Sequence, residues 1–182
     1  LPSVEQLISV PYANAEAQAA SFKVGNAKVT LWQDFYQAGG EPKFTPTDFA
    51  HPLYIMYSSG TTGVPKCIVH GAGGTLLQHV KELGLHTDLT MRDTLCYYTT
   101  CGWMMWNWIV SGLALGASIV LYDGSPFYPK ADRLIDLIDA EGISVFGTSA
   151  KYLAALEKAD SKPINTHRLT KLKAILSTGS PL

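Results

Sequence analysis

The sequence predicts an α/β fold with a mostly parallel sheet and helices on both of its faces. Three observations lead there. From residue 53 onward, short β-rich runs alternate with helical patterns. One of those helical stretches, Trp103 to Leu113, is apolar nearly all round, as a helix buried on two sides would be. Another carries Ala131, Leu134, Ile135 and Ile138 on one face and Asp132, Arg133, Asp136 and Asp139 on the other, as a helix laid on a sheet would.

Taken in order, QLISVPY reads as a strand and TLWQDFYQ as a helix, followed by a polar, proline-containing link through Glu41, Pro42, Pro46 and Asp48. The runs LYIMYS and CIVH are the next strands, with a Gly/Ser/Thr-rich loop between them. Gly74 to Leu85 is a helix on the spacing of Leu76, Leu77, Val80 and Leu83. TLCYYT is a strand, Trp103 to Leu113 a helix, and Ser118 to Tyr122 a strand rich in β-branched residues. Gly142 is placed to end the helix of Ala131 to Ile138. ISVFGT is a strand, Ser149 to Lys158 a helix with Tyr152, Leu153 and Leu156 inward, and LKAILST the last strand. A repeated βαβα order of this kind closes most simply as a parallel sheet. Residues 1–182 are therefore expected to form a single α/β unit, with 1–50 its less regular segment.

Composition excludes several classes of function. The net charge of -1, with acidic and basic residues spread along the chain, creates no field that would gather nucleic acid or anionic lipid. Cys67, Cys96 and Cys101 lack the paired spacing of a zinc site and read as reduced thiols, and the five histidines form no HExxH, so no metal site is expected. The stretch Trp103 to Tyr122 is uncharged and long enough to span a membrane. Asn107, Ser111, Gly112 and Gly116 interrupt it, so helix, turn and strand are expected in place of a span. The N-terminus has no basic flank or cleavage site of a signal peptide, and a cytoplasmic protein is expected. It has no starting Met either, so a piece of a longer polypeptide is expected, with the remainder of that polypeptide as its partner.

The chemistry concentrates in YIMYSSGTTGVPKCIVH, Tyr54 to His70. Small residues let backbone N–H groups converge on an anion without side chains in the way. The hydroxyls of Ser58, Ser59, Thr61 and Thr62 add donors, and Lys66 adds a point charge suited to phosphate. The spacing is not that of a Walker loop, because Gly60 and Gly63 are separated by two residues and Lys66 is followed by Cys67, which disfavours a P-loop phosphotransferase. On its chemistry alone the stretch is either a phosphate cradle or an ordinary hairpin connection.

YSSGTTGVPK resembles the phosphate loop of the adenylate-forming superfamily, which joins acyl-CoA synthetases, luciferases and nonribosomal peptide adenylation domains. The likeness continues through CIVHGAGG, TTCGWMMWNWIVSGLALGASIVLYDGSP and ILSTGSPL, from His51 to Leu182, and is strongest to the synthetases that activate acetoacetate, next to those for acetate. It implies that the chain is a subdomain of the large N-terminal domain of such an enzyme. The implied reaction joins a carboxylate to ATP, releases pyrophosphate, and passes the acyl group from the adenylate to coenzyme A, with Mg²⁺ assisting.

The resemblance also implies roles for residues. Ser58, Ser59, Gly60, Thr61, Thr62, Gly63 and Lys66 would hold the β- and γ-phosphates. Trp103, Met104, Met105 and Thr178 would line the acyl pocket, although a Trp/Met stripe is also what plain core looks like. Gly179, Ser180 and Pro181 would contact the nucleotide, although a Gly-Ser-Pro turn needs no ligand to explain it. The family's magnesium motif, ribose-binding aspartate and catalytic lysine would lie beyond Leu182, so no catalytic residue is assigned and the piece alone is expected to be inactive. Two other readings stay open: a synthetase for acetate or propionate, and a non-catalytic nucleotide-binding module.

Overall fold

The computed structural model describes residues 3–12, 23–58 and 63–181. These fall into two compact units, 1–46 and 47–182.

In the first unit β1 (Gln6–Ser9) pairs in parallel with β2 (Lys28–Leu31), and α1 (Trp32–Phe35) follows directly. The helix expected over TLWQDFYQ shrinks to this single turn. Thr30 and Leu31 are used by β2, no side chain caps the turn, and the backbone at Tyr36 is already extended. The rings of Trp32 and Tyr36 stack at 5.6 Å across it.

The second unit holds the predicted sheet. Four strands, β5 (Thr94–Tyr97), β6 (Ser118–Val120), β7 (Val145–Ser149) and β8 (Ala174–Thr178), stand in the order β6-β5-β7-β8, and every pair is parallel. The chain leaves β5 toward β6 and returns on the other side of β5 to build β7 and β8. The strand order therefore reverses between β5 and β7, the point in such sheets where ligand crevices open at the carboxyl ends of the strands.

Both faces of this sheet are covered, and the alternation along single strands shows it. Leu95, Tyr97 and Val145 point to a core shared with Leu83, Met105, Trp108 and Ile109. Cys96 and Phe146, one position away, point to a second core with Leu134, Ile138, Tyr152 and Leu156. The first core is built by α2 (Ala72–Val80), which runs into a π-helical segment (Lys81–His86), and by α3 (Met104–Val110), which tightens into a 3₁₀ turn (Ser111–Leu115). The second is built by α4 (Arg133–Glu141) and α5 (Ala150–Lys158), with a short α6 (Pro163–Thr166) beyond them. Gly142 ends α4 at φ +61°, as its position implies, and the Ser149 hydroxyl caps α5 by accepting from the Tyr152 N–H.

Two expectations about helix faces change. Met105, Trp108 and Ile109 of α3 are buried, but Met104, Val110 and Leu113 are exposed, so the stretch lies on one side of the sheet and is not enclosed on two. On α2, Leu76 and Leu77 are exposed while His79 and, just beyond, Leu83 are buried. The helix turns its polar stripe partly inward, for reasons that the site makes plain. Among the described residues, no helix is long and apolar enough to cross a membrane.

β3 (Pro52–Ser58) and β4 (Lys66–Gly71) form a separate antiparallel hairpin whose connection is the glycine- and hydroxyl-rich loop. It is tied to α3 where the Asn107 side-chain N–H approaches the Met56 sulfur at 3.6 Å.

Candidate functional site

A cleft of about 660 Å³ opens between the hairpin, α2, α3 and the end of β8. Its floor is the Tyr97 ring at the carboxyl end of β5. Gly147 on β7 makes room for that ring, since a Cβ there would stand 1.9 Å from it. Burial pushes the Tyr97 phenol up to about 12, so the phenol keeps its proton and donates to the Thr148 carbonyl at 3.0 Å, bridging β5 to β7 where the strand order reverses.

Met104 and Met105, at the start of α3, and Thr178, at the end of β8, all line this cleft. Met105 is buried in the core beneath and Met104 is exposed, so the two methionines are core and cleft wall at once. Trp103 is not among the lining residues; its ring stands edge-on to Tyr97 at 6.3 Å between centroids.

The phosphate-loop candidates are only partly in view. Ser59, Gly60, Thr61 and Thr62 lie outside the described residues. Ser58 and Lys66 face each other as the last pair of the hairpin, and Gly63 sits at φ +108°, a backbone that favours glycine. Lys66 is exposed. Gly179 also has a positive φ, +102°, which turns the chain away from β8, so Ser180 and Pro181 border a separate depression along α5 with Lys151 and Glu157. Thr178 and the turn after it thus serve two different hollows.

The polar wall of the cleft escaped the sequence reading. Glu82, in the π-helical segment, accepts from Trp108 Nε1 at 3.0 Å and from Gln78 Nε2 at 2.5 Å. One turn earlier, His79 Nδ1 meets the Ser111 hydroxyl at 2.9 Å, and that hydroxyl reaches the Asn107 carbonyl at 3.1 Å. Burial lowers the His79 imidazole below its ordinary value, with Glu82 opposing and His70 adding to the shift, so the ring is neutral near pH 7. These contacts explain why α2 turns polar residues inward: they bond α2 to α3 across the cleft. Glu82 stands four residues after Gln78 and three after His79, spacings that bring it beside each of them on a helix, and that was the available signal.

Among the described residues, no three His, Cys, Asp or Glu side chains converge as a metal cage would require.

An α/β sheet with a crevice at its switch point, beside a hairpin bearing a hydroxyl-rich loop, defines a nucleotide-using class of enzyme. Residues 3–182 match the family described as AMP-binding enzyme, and the chain belongs to it. It is 52% identical over 188 residues to an acetoacetyl-CoA synthetase of Danio rerio, a match covering 100% of this chain and 28% of that relative. A malonamoyl-CoA synthetase of Penicillium aethiopicum is 46% identical over 200 residues, again covering 100% of this chain and 28% of the relative. Among solved structures, the acetoacetyl-CoA synthetase from Streptomyces lividans superimposes with a TM-score of 0.86 at 42% identity, covering 100% of this chain and 27% of that one. The chain thus spans little more than a quarter of the length of the relatives it matches.

Proposed function

We propose that this chain is part of an acid–CoA ligase that activates acetoacetate with ATP, releases pyrophosphate, and transfers the acyl group from the adenylate to coenzyme A. The observation that carries the reading is the meeting of Met104, Met105 and Thr178 in one cleft at the carboxyl ends of β5 and β8. Met105 on α3 and Thr178 on β8 stand far apart in the sequence yet line one open cleft. Similarity to synthetases named for acetoacetyl and malonamoyl groups supports a short acid with a carbonyl oxygen on its third carbon.

In this reading the cleft holds the acid, and Tyr97 and Met105 keep water from its chain. Ser58, Ser59, Gly60, Thr61, Thr62, Gly63 and Lys66 hold the leaving pyrophosphate, where negative charge grows in the transition state and fixed donors lower the barrier. Gly179, Ser180 and Pro181 pass beside the nucleotide. Mg²⁺ is carried by the phosphates of ATP and by protein outside this chain, and the reaction takes place in the cytosol.

The test is product analysis on the full-length protein. With acetoacetate, ATP, Mg²⁺ and coenzyme A it should form AMP, pyrophosphate and acetoacetyl-CoA. Turnover that is equal or better with acetate or propionate would move the assignment to those acids. Lys66→Ala should slow the adenylation step, and an unchanged rate would remove Lys66 from the leaving-group role.

A further inference from the structure

We propose that Glu82 is a specificity-determining residue that keeps acids with a second carboxylate out of the cleft. The inference rests on the reading of the cleft as the acid site. It starts from the charge of the wall. Among the described residues that line the cleft, Glu82 is the one acidic side chain, and neither a lysine nor an arginine stands there to offset it. Its two carboxylate oxygens are held separately, one by Gln78 Nε2 at 2.5 Å and the other by Trp108 Nε1 at 3.0 Å, while the Thr87 hydroxyl donates to its main-chain carbonyl. Both side-chain donors are neutral, so they fix the charge in place without cancelling it.

Position and surroundings decide what that charge does. Trp108 lies four residues after Met104 and three after Met105 on α3, so Glu82 is anchored one helical turn from the two methionines assigned to the acid. Tyr97, Met105 and Trp108 are buried in the same wall, and apolar surroundings of this kind screen a carboxylate less than water does. Acetoacetate ends in a methyl group on its third carbon. Malonate has the same frame with a negatively charged oxygen in place of that methyl group, so size does not separate the two acids and charge does. A like charge held in the wall against the wrong partner is a repulsive element, and such elements supply specificity that attractive contacts alone do not.

The experiment compares kcat/KM for malonate and for acetoacetate in the full-length protein at about pH 8, where an ordinary imidazole carries no charge. The unaltered protein should strongly favour acetoacetate; equal use of the two acids would overturn the proposal and leave the functional reading standing. Glu82→Gln keeps the size of the side chain and an acceptor for Trp108, and is expected to raise the malonate-to-acetoacetate ratio by about 10-fold or more. Glu82→Asp keeps the charge and should leave the ratio low, and a rise as large as that of the glutamine variant would count against the role of charge. Equal losses on both acids in the glutamine variant, or an unchanged ratio, would overturn the proposal and leave Glu82 a structural residue. Should the glutamine variant fail to fold, Gln78→Lys decides alone: at an exposed position four residues away it sets a cation beside the carboxylate, so a raised ratio supports the role and an unchanged one overturns it. If the unaltered protein forms no acetoacetyl adenylate, the functional reading fails first and the inference falls with it.

Discussion

The indole N–H of Trp108 donates to the Glu82 carboxylate at 3.0 Å, and this bond joins the π-helical end of α2 to the middle of α3 in the cleft wall. Trp108→Phe keeps an aromatic ring but removes the donor together with part of the indole's packing. It should lower stability by about 1.5–3 kcal/mol, the usual range for a bond to a charged acceptor, as read by denaturant unfolding. A loss below half a kcal/mol would mean that Gln78 and water satisfy Glu82 alone.

A second polar cluster sits at the opposite end of the sheet. Burial pushes the Asp93 carboxyl up, but bonds from Ser144, Lys173 and Thr90 outweigh it and bring it down to about 2. Because the folded value lies below the unfolded one, the stabilisation is fully present above the ordinary carboxylate range near 4 and is lost as pH falls toward 2. Asp93→Asn should remove that acid-side slope. A variant whose stability falls just as steeply between pH 4 and 2 would place the titrating group elsewhere.

Gly147 is required by the Tyr97 ring, which a Cβ would meet at 1.9 Å. Gly147→Ala should displace the cleft floor and cost about 1–3 kcal/mol, seen as a lower melting temperature together with a changed near-UV signal from the tyrosine. Retention of both would show that the ring can shift without cost.

Met105 separates cleft wall from plain core. In the full-length protein Met105→Ala should move preference toward bulkier acids, because the space released opens into the cleft. A closed core cavity would instead cost roughly 2–5 kcal/mol and leave relative acid preference as it was.

The sheet and its crossovers were legible because their signals are local. Alternating β-rich and amphipathic runs, Gly142 after Ile138, and the hydroxyl-rich loop between two apolar runs each carry their meaning within a dozen residues. The faces of α2 and α3 were not. Leu76 and Leu77 fit a helical stripe as well as His79 and Leu83 do, and only the tertiary bonds to Ser111 and Trp108 decide which side turns in. Likewise TLWQDFYQ has helical spacing, yet the pairing of Thr30 and Leu31 with β1 claims its first residues for a strand. The meeting of Met105 with Thr178 depends on strand order, which periodicity does not encode.

The most direct test of the adenylate is isotope exchange between pyrophosphate and ATP in the full-length protein, with Mg²⁺ present and coenzyme A withheld. The reaction proposed here is reversible up to the acyl-adenylate, so labelled pyrophosphate should enter ATP only when acetoacetate is added, and more slowly when Lys66 is replaced by alanine. Formation of ADP without exchange, or exchange that proceeds equally well without any acid, would contradict the account.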